Sequence, residues 1–296
     1  SIAWNNARAR ATEWGISRSS YYPTIGVEVD GVVGKVPQSL SGRSYLDVGT
    51  TLNYLLLDFG SRSAGAEAAR QALIAADWNH NQAIQDVLRD VPQAYYVHLG
   101  YVSLVESSQK DLEEAQSVLS ATENRHRSGV STISDVLQAR AKRDMALYNL
   151  EAAKGGMEIS KGALASAVGW PSNTPFSIAQ ENRQLPLNAI GSDVDKLIET
   201  ARSRRADLNA YMADVRKSEA ALKKAKAEPF PKLGGVGNVG WQRTRNMEAE
   251  RYYGGVTLSL PIFNGFELTN AVRAAKAELE ASRSQFKAKE DSVIQE

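Results

Sequence analysis

Two periodicities alternate along the chain. Residues 1–20 carry a helical spacing that fades at Ser19-Ser20. Tyr22-Pro23 then opens an extended segment. There Ile25, Val27 and Val29 alternate with Thr24, Gly26, Glu28 and Asp30, the pattern of a strand with one apolar face. A loop bearing Gly34, Pro37, Ser39 and Gly42 leads to a second strand, roughly Tyr45 to Leu56. Val48, Thr50, Leu52, Tyr54 and Leu56 take one face; Asp47, Gly49, Thr51 and Asn53 take the other. Asp58-Phe59-Gly60 ends it. From Ser61 to about Arg127 the period becomes helical, with Ala66, Ala69, Leu73 and Ala76, and later Leu112, Ala115 and Leu119, forming a narrow seam. At ~1.5 Å per residue such a run spans on the order of 100 Å and needs partners along its length. Pro92 lies inside it and is expected to kink or divide it.

The run stops at Arg125-His126-Arg127-Ser128-Gly129-Val130. Glycine adopts positive φ at little cost, so Gly129 suits a helix C-terminus. Ser131 or Thr132 can N-cap the next helix, with Asp135 in the first turn, where a carboxylate suits the helix dipole. This second helix is expected from Ile133 to about Val168, with weak points at Gly155-Gly156 and Gly162. Gly169-Trp170-Pro171 stops it. Residues 61–168 thus read as one long helical hairpin with its tip near 127–131. Residues 169–192, rich in Pro, Ser and Asn, read as an irregular connection. Asp193 then caps a helix over 193–228, with an interruption near Arg205-Ala206-Asp207.

The opening pattern then returns. Phe230-Pro231 matches Tyr22-Pro23, and Gly255–Asn264 matches Gly49–Asp58, roughly 206–208 residues later. The facing is kept: Gly49, Thr51 and Asn53 correspond to Gly255, Thr257 and Ser259, and Leu52 and Tyr54 to Leu258 and Leu260. The unit of helix, β-hairpin and long helix is used twice. A first β-hairpin occupies 21–60, a second 229–264, and residues 265–296 begin a second long helix. The chain opens at Ser1-Ile2-Ala3-Trp4 and ends at Gln295-Glu296, both within helical pattern, as a portion of a longer protein would.

Composition removes most other classes. The 296 residues carry 35 basic and 34 acidic side chains, a net charge of +1, which offers no pull toward nucleic acid. There is no cysteine, so disulfides and thiolate chemistry are excluded. His80, His98 and His126 are the three histidines, and no two lie one helical turn apart as a metal pair would. They are expected at the surface or lining a lumen. The cluster Gly234, Gly235, Gly237 and Gly240 lacks the Lys-Ser/Thr ending of a phosphate loop and alternates like a strand. No nucleophile elbow or Ser-His-Asp order appears. The expectation is a protein that is not an enzyme and needs no metal or cofactor. No stretch reaches 18 apolar residues, so no transmembrane helix is expected. Transmembrane β-strands alternate and escape such a test. Four strands are too few to close a barrel, but copies related by rotation can close one. Tyr21, Tyr22, Tyr45, Trp241, Tyr252 and Tyr253 are read as strand-end aromatics at membrane interfaces. Glu28, Asp30 and Asp47 hint at a mildly acidic mouth.

Taken in order, the strand starts Tyr22-Pro23 and Phe230-Pro231 and the strand ends Leu57–Gly60 and Leu260–Gly265 resemble the TolC-like outer-membrane efflux proteins. So do Ala94-Tyr95-Tyr96 and the tip from Arg125 through Ser134-Asp135 to Arg140. Arg205-Ala206-Asp207-Leu208 is similar to that family's Arg-Pro-Asp-Leu helix start, with Ala206 in place of proline. The resemblance implies an α+β membrane protein. Each protomer of a homotrimer gives four β-strands to one twelve-stranded outer-membrane β-barrel, and long helical hairpins continue it as a periplasmic α-barrel. It implies a passive exit duct of a tripartite efflux or type I secretion system in the Gram-negative outer membrane. A periplasmic adaptor protein docks at Arg127, Ser128, Gly129 and Val130 and links it to an inner-membrane transporter. Ser134 and Asp135 fall where the family's gate makes polar contacts. A structural coiled-coil or adhesin-like protein with a small β-domain is the alternative; a membrane-fusion adaptor ranks lower, since it lacks this duplication.

Overall fold

Among the described residues the two periodicities condense into four antiparallel strands and six helices. The computed structural model describes residues 2–32, 45–178, 194–244 and 248–295. The loop at Gly34, Pro37, Ser39 and Gly42, the cap at Asp193 and the connection beyond residue 178 lie outside them. In chain order the elements are α1 (Ile2–Ser19), β1 (Thr24–Val32), β2 (Tyr45–Leu57), α2 (Ser61–Arg127) and α3 (Ile133–Val168). They continue with α4 (Val194–Arg204), α5 (Ala206–Ala227), β3 (Lys232–Thr244), β4 (Glu248–Ser259) and α6 (Glu267–Gln295). Contacts divide the chain into one unit of Ser1–Gln82 with Ile190–Glu296 and another of Ala83–Ala189.

The first unit holds the sheet, in the order β1-β2-β3-β4, so β1 and β4 are its edges. The two hairpins predicted as a repeat therefore lie side by side, joined by β2 against β3. Both strand-to-helix turns need two successive residues at positive φ: Phe59 and Gly60 (50° and 93°) before α2, Gly265 and Phe266 (59° and 67°) before α6. The duplication thus extends to backbone conformation, although glycine and phenylalanine exchange places. Asp58 caps the first turn, accepting the Arg62 N–H at 2.6 Å and the Gly60 N–H at 3.3 Å. Arg62 locks that corner: its guanidinium donates to the carbonyl oxygens of Leu55 (2.6 Å), Leu56 (3.2 Å) and Ser20 (3.3 Å). It also lies over the Tyr21 ring at 5.2 Å.

Small side chains line the helical contacts of this unit. Ala64 and Ala75 on α2 and Ala213, Ala220 and Ala227 on α5 are buried. The predicted seam at Ala66, Ala69, Leu73 and Ala76 is only half-buried. Helix α5 meets α6 through Ser218 and Ser282 at 2.8 Å and through Arg283 and Glu219 at 3.1 Å. The predicted interruption falls at Arg205, between α4 and α5.

The second unit contains the remainder of α2 and all of α3. Helix α2 continues through Pro92, where the sequence predicts a kink or division. Helix α3 likewise runs unbroken through Gly155, Gly156 and Gly162. Gly156 is a contact point: a Cβ there would lie 2.2 Å from Cε1 of Tyr101, so its bare backbone makes room for the ring. Leu112 of α2 and Val136, Ala139, Leu150 and Leu164 of α3 are buried. His98 is buried as well, its Nδ1 3.0 Å from Ser160 Oγ. The surface or lumen position expected for this histidine does not hold within the unit.

Candidate functional site

Strand alternation and the observed register assign every sheet side chain to a face. One row across the sheet is Val27, Thr50, Val239 and Tyr252; the next is Glu28, Gly49, Gly240 and Arg251. The first face carries Ile25, Val29, Leu52, Val256 and Leu258 as well. It is bare: Val27 and Val256 are 72% exposed, Val239 69% and Leu258 68%. The second face is polar, yet Asp47 is only 7% exposed and Asn238 5%. At the centre of the sheet the usual arrangement of an aqueous protein, apolar side covered and polar side wet, is reversed.

The middle of the polar face is shielded because it is knitted to itself, while its side chains on the edge strands β1 and β4 stay exposed. Arg251 grips Asp47 with two contacts, at 3.1 and 3.4 Å. Asn238 Nδ2 donates to Thr51 Oγ1 at 2.9 Å. Gly49 and Gly240 pair directly, and a Cβ on Gly240 would sit 2.9 Å from the Val48 carbonyl oxygen and 3.1 Å from Gly49 Cα. The pair leaves a notch that the Asn238 amide fills, lying 3.3 Å from where a Gly49 Cβ would stand. The glycine cluster lies in strand β3, as its alternation predicted, and Gly240 is the member where close strand approach requires glycine. Of the acidic residues expected at the mouth, Glu28 and Asp30 are exposed while Asp47 is neutralised by Arg251.

The aromatic residues do not form one set. Tyr21 and Tyr22 precede β1, at the helical end of the sheet, and Tyr45 opens β2 at the other end; the side chain of Tyr45 lies outside the described residues. Trp241 and Tyr252 share the apolar face. Tyr253 does not: adjacent strand residues point oppositely, and its register partner is Asn238, so it belongs to the polar face. Tyr252 and Tyr253 also sit in the middle of β4 rather than at its end. Sequence reasoning missed a further aromatic group at the helical end. There Phe59 stacks on Phe230, with centroids 5.4 Å apart, and Phe263 meets Phe266 edge to face at 5.6 Å. The signal was present, since these phenylalanines flank both strand-to-helix turns.

In the second unit the tip closes as a Schellman turn. Gly129, at φ 72°, donates to the His126 carbonyl oxygen at 2.9 Å, and Val130 donates to that of Arg125 at 2.9 Å. His126 Nδ1 donates to the Ser131 carbonyl oxygen at 2.8 Å, tying the end of α2 to the loop. Thr132 is the N-cap of α3 and forms a reciprocal box with Asp135. Asp135 N–H donates to Thr132 Oγ1 at 3.2 Å, and the Thr132 N–H and hydroxyl each donate to Asp135 Oδ2 at 2.8 Å. The backbone N–H of Thr132, then its hydroxyl, hold the Asp135 carboxyl below the ordinary carboxylate range. Arg127, Ser128, Gly129, Val130, Ser134 and Asp135 are all exposed. Val130, Ile133 and Leu137 stand beside them, 66%, 59% and 56% exposed.

This chain is similar to protein CyaE of Bordetella pertussis, 25% identical over 286 residues that cover 94% of this chain and 60% of CyaE. It is 26% identical to outer membrane efflux protein BepC of Brucella suis, over 95% of this chain and 61% of BepC. Its fold matches the Campylobacter jejuni CmeC outer membrane channel with a TM-score of 0.84 at 17% identity, across 97% of this chain and 64% of CmeC. The chain thus spans about three fifths of the curated relatives it matches. The model of the outer membrane efflux protein family matches residues 2–170 and 197–296, and the chain belongs to that family, whose members are channels of the Gram-negative outer membrane reaching into the periplasm and not enzymes.

Proposed function

We infer that the complete protein is a homotrimeric exit duct, with four strands per protomer closing one twelve-stranded barrel in the outer membrane. The observation that carries this is the reversed sheet: a bare apolar face on four strands whose two edges have no partner strand among the described residues. Lipid covers such a face, and rotationally related copies satisfy such edges. A coiled-coil or adhesin-like protein has no use for two matched hairpins with apolar outward faces. Trp241, Tyr21 and Tyr22, together with the phenylalanines at the turns, serve as interfacial anchors; Tyr252, mid-strand beside Val239, lies against the lipid interior, and Tyr253 faces the lumen. The full coding sequence is expected to fractionate with outer membranes and to migrate as a trimer in mild detergent. Recovery as a soluble monomer would sink this reading.

The exposed tip is the docking surface for a periplasmic adaptor, through Arg127, Ser128, Gly129 and Val130, and the adaptor in turn reaches an inner-membrane transporter of an efflux or type I secretion system. Ser134 and Asp135 contribute to a gate between neighbouring hairpins. Asp135 has a local role too, so the two must be separated. Replacing Asp135 with Ala is expected to raise single-channel conductance in planar bilayers. Replacing Thr132 with Ala removes the same cap, at a local cost of ~1 kcal/mol, while leaving the carboxylate in place. If both variants conduct alike, Asp135 acts only as a cap.

A further inference from the structure

A groove of about 710 Å³ runs between the start of α2 and the end of α5. It opens at Phe59, on the turn that ends the apolar sheet face. Ser61 Oγ donates to Glu228 at 2.8 Å and the Lys224 stem lies over Gly65, so α2 and α5 run antiparallel away from the sheet. Lys223 is therefore nearer the sheet, and Arg216 lies about 10 Å further along α5. Neither cation has an ion-pair partner among the described residues. The acceptors of the groove are Glu67, Glu219 and Gln71; Glu67 also meets Arg70 at 3.3 Å and Glu219 meets Arg283 at 3.1 Å, both exposed pairs of little strength that leave lone pairs for a further donor. Gln71 is 6% exposed; its Nε2 donates to Glu67 Oε1 at 2.6 Å, while its Oε1 is buried with no hydrogen-bond partner among the described residues. A buried acceptor left unmade is costly, and it calls for a donor.

We propose that this groove binds the headgroup of an amine-bearing phospholipid, with the phosphate on Lys223 and Arg216 and the ammonium on Gln71 Oε1, Glu67 and Glu219. The proposal rests on the outer-membrane duct proposed for the complete protein. The apolar face ends where the groove begins, which puts headgroups at its mouth. The cations and the unpaired acceptor suit a group carrying both charges. A phosphatidylglycerol headgroup can donate a hydroxyl to Gln71 but brings no cation to Glu67 and Glu219, and a choline headgroup supplies no N–H.

The test is native mass spectrometry of the full-length channel in nanodiscs made from phosphatidylcholine mixed equally with phosphatidylethanolamine or with phosphatidylglycerol. Retention of phosphatidylethanolamine on the trimer is expected to exceed that of either other lipid. Gln71→Leu, and separately Lys223→Gln with Arg216→Gln, are expected to reduce it about tenfold, as for loss of a charge-assisted hydrogen bond. Free phosphoethanolamine added to the detergent-solubilised channel is expected not to compete with the lipid, because it lacks the chains held by the sheet face; competition would make the site one for a soluble phosphate compound and overturn the lipid assignment. Equal retention of all three lipids, or wild-type retention by the variants, overturns the proposal. So does a groove filled by a second copy, seen as lipid-free trimers that dissociate when Lys223 and Arg216 are changed. Failure to enter nanodiscs at all would instead bring down the outer-membrane reading beneath it.

Discussion

Replacing Val239 with Arg is expected to destabilise the membrane-embedded protein by ~2–4 kcal/mol per protomer, the depth-dependent cost of a cation on the lipid face of a β-barrel. Val239 is suited to this because it lies midway along β3, between Thr50 and Tyr252 in its row, and is 69% exposed within the chain. In an aqueous protein an exposed valine changed to arginine would cost almost nothing. The sign of the experiment is therefore diagnostic. Gln242→Arg provides the control on the polar face, where a further cation beside the Asp47–Arg251 pair meets water in the lumen and not lipid. Urea-driven unfolding from lipid bilayers, or the temperature at which trimers dissociate, measures both. Equal effects at the two sites would mean that the bare face is not against lipid.

The sheet was readable because period-two patterns are local, and because the same pattern returns about 206 residues later. Its faces came with it, down to Gly49 and Gly255 on the same side. The tip was readable for a similar reason: Gly129, Thr132 and Asp135 act within a few residues of one another. What escaped depends on partners distant in sequence. Gly156 looked like a weak point in a helix, but its value lies in Tyr101, on the other helix of the hairpin. Pro92 illustrates the opposite limit. A proline removes one hydrogen bond and crowds the preceding turn, at a cost of ~3 kcal/mol, yet α2 continues through it on a stretch whose side chains are mostly exposed, where water can take up the freed carbonyl. The gate and docking roles belong to surfaces that meet other chains, and a single sequence carries them only by resemblance.

The largest single-residue effect expected among the helices is at Asp207, in the first turn of α5. Its carboxylate is buried and receives Arg205 Nη2 at 2.7 Å, Lys289 Nζ at 2.9 Å and the Leu208 N–H at 2.8 Å. It thus joins the break after α4 to α6, next to the Arg202–Glu290 contact at 3.0 Å. Burial alone would push its carboxyl up, but the hydrogen bonds from Arg205, Lys289 and Leu208 together prevail and bring it down to about 2. Because the folded value is depressed, its contribution is fully present above the ordinary carboxylate value and is lost as pH falls from about 4 through 2. That contribution is on the order of 2 kcal/mol. Asp207→Ala is expected to cost more, ~3–5 kcal/mol at neutral pH, because it also takes away the acceptor of the Leu208 N–H and the counter-charge of Lys289. Asp207→Asn, which keeps an oxygen for the Leu208 N–H, should fall between. Thermal unfolding at neutral pH and near pH 2 checks the assignment. The gap between wild type and Asp207→Asn is expected to narrow sharply in acid; a gap independent of pH would show that shape, and not charge, holds α5 to α6.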